Sequence, residues 1–137
     1  MSTDAEKSTH FLNVDLDIYS KFNLEPFVAA LGKRVLVLYV GCNRRTYEAH
    51  LEIAGNVKTA DIAIKKFATL INSLPRAARK LWNAAKRRDF SIGVQSAMQP
   101  STFDIAIEAE TVRAAALLNA RIVVTTYAPQ KKSITTQ

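Results

Sequence analysis

Cysteine is nearly missing from this chain: Cys42 is the only one in 137 residues, which excludes an internal disulfide and any multi-cysteine zinc site. Glycine is scarce too. The four glycines form neither a paired-glycine dinucleotide turn nor a phosphate loop ending in Gly-Lys-Ser/Thr, and no Gly-x-Ser-x-Gly elbow occurs. With so few glycines, close approach of backbone to a phosphate is hard to arrange, and no cofactor is expected. No apolar run is long enough to cross a bilayer, and residues 1–7 carry acids where a signal peptide carries a basic and then an apolar region. The chain therefore reads as cytoplasmic, without a membrane partner.

Acidic residues are nearly missing from one stretch. Residues 58–88 hold nine basic side chains against the single acid Asp61, a local net charge of +8, so the +7 of the whole chain is a local feature. Such segregation marks either a surface that meets anions or a well-solvated helix face.

What is present is ordinary globular material. Apolar residues make up 48% and charged residues 23% of a chain of single-domain length, which buries about two-thirds of the surface its unfolded form exposes. One domain is expected over 10–129, with flexible polar ends at 1–9 and 130–137.

Leu12, Val14, Leu16 and Ile18 alternate with Asn13, Asp15, Asp17 and Tyr19, the period of a strand with one buried face. Asn23 is placed to cap a short helix with Pro26 in its first turn, and Gly32 to end it in the left-handed conformation. Residues 35–40 are continuously apolar and rich in β-branched side chains, which predicts a central strand. After a turn at 41–44, the alternation of Tyr47, Ala49, Leu51 and Ile53 predicts the second arm of a hairpin. Cys42 falls in that turn beside Arg44 and Arg45, but no histidine is near in sequence and an incidental cysteine is the simpler reading.

Thr59 is placed to cap a helix with Ile64, Phe67, Ala68, Ile71 and Leu74 on its inner face. Pro75 divides it from a second helix expected to run to Arg88. Phe90, Ile92 and Val94 resume period two. A turn at 98–101, a strand with Phe103, Ile105 and Ile107 inward, an alanine-rich helix over 110–118 stopped at Asn119, and a last strand over 121–127 complete the chain.

The fold class expected is α+β: one mixed, largely antiparallel sheet of about six strands with helices on its apolar face, in the order β-α-β-β-α-α-β-β-α-β. Residues 16–40 laid over 103–127 give six identities, with Gly32 on Asn119, a pattern that either duplication of a β-α-β unit or shared secondary structure produces.

Asp15, Asp17, Glu48, Glu52, Asp104 and Glu108 all fall on the polar side of expected strands. Glu48, His50 and Glu52 are candidate metal ligands, with Asp15 and Asp17 beside them, because carboxylates and an imidazole suit a divalent transition metal. Residues two apart on a strand lie about 7 Å apart, however, which works against one ion reaching all three. The basic helix offers Arg76, Arg79, Lys80, Lys86, Arg87 and Arg88 as an anion- or partner-binding group. Its stripe of Ala78, Leu81, Trp82 and Ala85 puts the indole in the core rather than on a stacking platform.

Leu74-Pro75 before a basic amphipathic helix, Phe90-Ser91-Ile92-Gly93, Phe103-Asp104-Ile105-Ala106-Ile107, Glu110-Thr111-Val112 and the run from Ala120 through Ile122, Val124 and Thr126 to Tyr127 form a familiar pattern. Over residues 11–127 the chain resembles a family of small bacterial proteins labelled only as a domain of unknown function. That resemblance implies a cytosolic bacterial α+β domain without an established activity, and it carries over no functional residue. By analogy with compact bacterial immunity and adaptor proteins, the leading expectation is a non-enzymatic protein-interaction module, meeting another protein or forming a homodimer. The alternatives are an anion or nucleic-acid binder through residues 75–88 and a small metal-dependent enzyme through Glu48, His50 and Glu52.

Overall fold

The computed structural model describes residues 8–99 and 102–129. The expected flexible ends fall largely on 1–7 and 130–137, and the turn at 98–101 falls partly on 100–101, all outside the described residues.

The strand β1 (His10–Ser20) organises the rest. Its alternation buries Val14, Leu16 and Ile18 on one side and leaves Asn13, Asp15 and Asp17 half-buried on the other. It pairs antiparallel with β3 (Thr46–Ile53) along one edge and with β4 (Arg87–Gln95) along the other. Outside β3 lies β2 (Val35–Asn43), antiparallel to it, and outside β4 lies β5 (Arg121–Tyr127), parallel to it. The result among the described residues is an open mixed five-stranded sheet in the order β2-β3-β1-β4-β5.

Among the described residues four α-helices bury their apolar residues with the inner face of this sheet: α1 (Glu25–Leu31), α2 (Ala60–Asn72), α3 (Arg76–Asn83) and α4 (Ala109–Leu117). Thr59 caps α2 as its sequence predicts, its Oγ1 accepting from the Ile62 N–H at 3.2 Å. In α1 the cap position is held by Leu24 rather than Asn23, whose Oδ1 instead accepts from the Glu25 N–H at 3.0 Å. Asn119 (φ 55°) ends a helical segment with positive φ as expected, whereas Gly32, with φ 62° and ψ −140°, ends α1 with positive φ but outside the left-handed helical region. Phe27 stacks on Trp82 at 5.9 Å, Phe67 lies 5.8 Å from Phe90, and the Trp82 Nε1–H donates to the Leu118 carbonyl at 3.0 Å. The indole is core, and its polar atom is satisfied there.

The structure departs from the sequence expectations in four further places. Residues 102–108 form no strand, so the sheet has five strands and not six. The sides of β4 are taken by β1 and β5, which leaves that segment no ladder beside the core. Instead Ile105 and Ile107 pack on the core, and the Glu108 N–H donates to Asp61 Oδ1 at 2.9 Å. The proposed second β-α-β unit thereby lacks its first strand, and the crossover at that end runs from β4 through α4 to β5. The run 35–40 is an edge strand, not a central one, since β3 has β1 on its other side. The hairpin turn sits at Arg44 (φ 50°) and Arg45 (φ 70°), the positive-φ pair a two-residue type I′ turn requires, so Gly41 and Cys42 belong to β2.

The fourth departure is the basic helix. It stops at Asn83, and the Lys86 N–H donates to the Tyr19 carbonyl at 2.7 Å, which starts the β4 ladder and places Arg87 and Arg88 in a strand. Arg88 then folds back on the helix it was expected to extend. Its guanidinium donates to the carbonyls of Trp82 (2.7 Å), Asn83 (3.0 Å), Ala85 (2.9 Å) and Asn119 (3.2 Å), satisfying orphan carbonyls at the end of α3 and tying them to the end of α4. Replacing Arg88 with alanine is expected to cost about 2–3 kcal/mol in urea unfolding, since half-buried carbonyls lose their donors. Lysine, with a point charge in place of a planar fork, is expected to recover less than half; full recovery by lysine would mean charge alone is at work.

Candidate functional site

The face of the sheet opposite the helices carries a polar network set by strand register. His50 on β3 lies opposite Asp17 on β1, and Asp17 lies opposite Asp89 on β4; one step along, Glu52, Asp15 and Ser91 are aligned in the same way. His50 Nδ1 lies 2.7 Å from Asp17 Oδ1 and its Nε2 lies 3.0 Å from Glu48 Oε1, two carboxylate acceptors that favour the protonated ring. Ser91 Oγ donates to Asp17 Oδ2 at 2.7 Å. Asn13 Nδ2 donates to Asp15 Oδ1 at 3.1 Å and also to Glu52 Oε2. Gly93 lies beneath this lattice, where a Cβ would sit 3.0 Å from Asn13 Oδ1 and 3.6 Å from the Tyr127 ring.

Proximity of so many acids moves their protons. Burial, a hydrogen bond shared with Glu52, and the charges of Asp17 and Glu52 push the Asp15 carboxyl up to about 7. For His50, burial opposes protonation, but the bonds to Asp17 and Glu48 and their charges outweigh it and raise the pKa. Further along, Asp89 is buried and receives Arg121 through Nε at 2.8 Å and Nη2 at 2.9 Å, while Arg87 pairs with it at 3.2 Å. The Arg87 guanidinium also lies 4.2 Å from the centre of the Tyr19 ring.

Glu48, His50 and Glu52 thus share a face as their spacing predicts, with Asp15 and Asp17 beside them, but they are engaged in pairs. Among the described residues no group of three or more His, Cys, Asp or Glu side chains has the arrangement that holds a metal ion. Ser91 donates a hydrogen bond to Asp17 Oδ2 and not to His50, so no Ser–His pair is formed. Asp104 and Glu108 lie in the 102–108 segment, outside any strand.

The six basic residues expected to act as one group are dispersed. Arg76, Arg79 and Lys80 lie on α3, with Arg79 held by Asn72 (3.1 Å) and Asn83 (3.4 Å), and Lys86 is exposed in the link to β4. Arg87 is on the sheet's polar face paired with Asp89, and Arg88 is spent on backbone carbonyls. Arg121, Asp89 and Ser91 enter the polar face unforeseen, because strand register across β4 and β5 has no local sequence signal.

The feature least expected from sequence is β2. Leu36, Val37, Leu38 and Tyr39 are 52, 47, 52 and 44% exposed, on an edge strand whose residues 35–42 carry no charge. Edge strands ordinarily carry charge, proline or a short length against unwanted pairing; here only a register shift between Val37 and Tyr39 interrupts the ladder to β3. Basic residues sit at both ends: Lys33 and Arg34 before the strand, Arg44 and Arg45 after it. Those flanks were the available sign of an edge, since charged gatekeepers commonly border an exposed apolar strand. Cys42 is exposed near the far end of β2.

No known protein family matches the chain, and neither the curated proteins nor the solved structures contain a match to it. The described helices include none long and apolar enough to cross a membrane.

The raised pKa values fix a sign for stability against pH. Asp15 stays protonated in the folded chain up to about 7 while an unfolded aspartate ionises near 3.8, so folding loses stability as pH rises between those values. His50, raised above 6.5, adds stability that is complete below that pH and lost as pH climbs through the folded value. Compared with wild type, Asp15→Asn is expected to remove the lower limb and to gain about 1–2 kcal/mol at pH 8, after discounting for solvent screening, or roughly 3–6 °C in Tm. Parallel Tm profiles for the two proteins from pH 4 to 8 would contradict a shared proton at Asp15.

Proposed function

We propose that this chain is a non-enzymatic protein-interaction module that accepts an extended segment of another protein along β2, continuing the sheet by one strand. The observation that carries this reading is the uncharged edge, four consecutive large side chains of which are about half exposed. Main-chain groups along such an edge supply hydrogen bonds to any added strand, and alternate side chains supply selectivity. An apolar edge left in water favours coverage, at about 25 cal/mol for each Å² removed from solvent.

Self-pairing of β2 is the simplest alternative occupancy, and charge disfavours it. Two copies aligned antiparallel bring Arg44 and Arg45 of one against Lys33 and Arg34 of the other, at both ends of the paired strands. Like charges facing across a sheet are destabilising. A foreign segment escapes that repulsion, so the module stays monomeric at low salt and available to a partner.

Salt tests the adhesive edge directly. Raising ionic strength from about 0.05 to about 1 M shortens the screening length to roughly 3 Å and removes the repulsion while leaving hydrophobic pairing intact. Light scattering is expected to report a monomer at low salt and a rising average mass at high salt. The double variant Leu36→Lys/Leu38→Lys is expected to remain monomeric throughout. A wild-type mass unchanged by salt and concentration would sink the reading.

A further inference from the structure

At the beginning of β2 lies a cavity of about 520 Å³ lined by Lys33, Arg34, Lys65, Lys66, Thr69, Ala54 and Leu70. Four of its seven lining residues are cationic. Arg34 immediately precedes Val35, and the Arg34 carbonyl accepts from the Ala54 N–H at 3.0 Å, so the cavity closes the end of the β2–β3 hairpin. Its other wall is α2.

The four cations divide into two kinds. Arg34 is anchored, donating through Nε to the Leu31 carbonyl at 3.0 Å and through Nη2 to the Ala30 carbonyl at 3.1 Å. Lys65 is anchored as well, bridging Asp61 at 3.2 Å and Glu110 at 3.1 Å. Lys33 and Lys66 are exposed and have no ion-pair partner among the described residues. Two lysines without carboxylates therefore flank a recess whose remaining positive charge is fixed in place, beside apolar Ala54 and Leu70.

We propose that this cavity is an anion subsite that takes a carboxylate at one end of the extended segment docked on β2. The inference rests on the edge-pairing reading above and names the partner's class: an extended, apolar segment with an acidic end. Continuity supports it, because a strand laid along β2 from Asn43 toward Val35 arrives at Lys33 and Arg34. Charge supports it as well. The uncharged strand matches an apolar centre, and its basic borders match acidic flanks, each lysine adding a charge-assisted bond when a carboxylate arrives. At the far border, arginines occupy two positive-φ turn positions where glycine or asparagine fits with less strain, so positive charge stands there against conformational preference.

Selection from a displayed library of random peptides on the full-length protein tests this, followed by selection on Lys33→Gln/Lys66→Gln. Both lysines are exposed, so the variant is expected to fold as wild type. The expected result is enrichment of peptides with alternating apolar residues and Asp or Glu at one or both ends. On the variant, the acidic preference at one end disappears, and the affinity of a selected acid-ended peptide falls about tenfold, while its glutamine-ended counterpart is unaffected. Enriched apolar peptides without acidic ends would overturn the subsite and leave edge pairing standing. Enriched peptides that are acidic throughout and displaced by a short DNA duplex would overturn it in favour of general anion binding. No enrichment on wild type would overturn both readings together.

Discussion

Everything in this fold answers to the two-faced character of β1. Val14, Leu16 and Ile18 need a dry side, Asp15 and Asp17 need a wet one, and strand geometry puts them on opposite faces with no freedom to negotiate. A one-residue slip would bury both aspartates against Phe67 and Phe90 and expose the apolar set. Register with β3 and β4 is thereby fixed, and helices are confined to one side of the sheet. The other side has to satisfy its own charges, which is why His50, Ser91 and Asn13 stand where they are, each donating to a β1 aspartate.

The polar face meets the charges of that arrangement internally. An imidazole held between two carboxylates that favour its protonation, and a carboxyl pair sharing a proton, ease the repulsion on this surface. The same logic recurs at Asp89, buried and clasped by Arg121 and Arg87. Carboxylates on the polar face thus consume some of the chain's positive charge, and Arg88 is consumed by backbone. Among the described residues, Lys33 and Lys66 are two of the cations left without an ion pair, and they stand at the start of β2, one of the sheet's two edge strands.

Local signals were legible wherever a segment's own periodicity or cap decides its state. The alternation in β1 and β3, the Thr59 cap, the inner stripe of α2 and the positive φ at Asn119 could all be read from neighbouring residues. So could the sharing of one face by Glu48, His50 and Glu52. Sheet order could not be read, because it depends on pairing between segments far apart in the sequence. The run over 35–40 looks the same whether both faces are buried or both are bare, and only the flanking basic residues hint at the latter. Residues 103–107 alternate like a strand, yet they find β4 occupied on both sides. Arg87 and Arg88 read as the end of a helix because helical charge patterning extends through them, whereas the ladder begun by Lys86 onto Tyr19 overrides it.

β1 is enclosed on both edges, while β2 is open along one. Residue-resolved amide hydrogen exchange on dilute, salt-free protein measures this directly. Slow exchange is predicted at the amides of β1 from Val14 to Tyr19, and in β2 an alternation of slow and fast amides, the fast ones pointing away from β3. Uniform protection along β2, or rapid exchange along β1, would contradict the sheet order and remove the open edge on which the functional account stands.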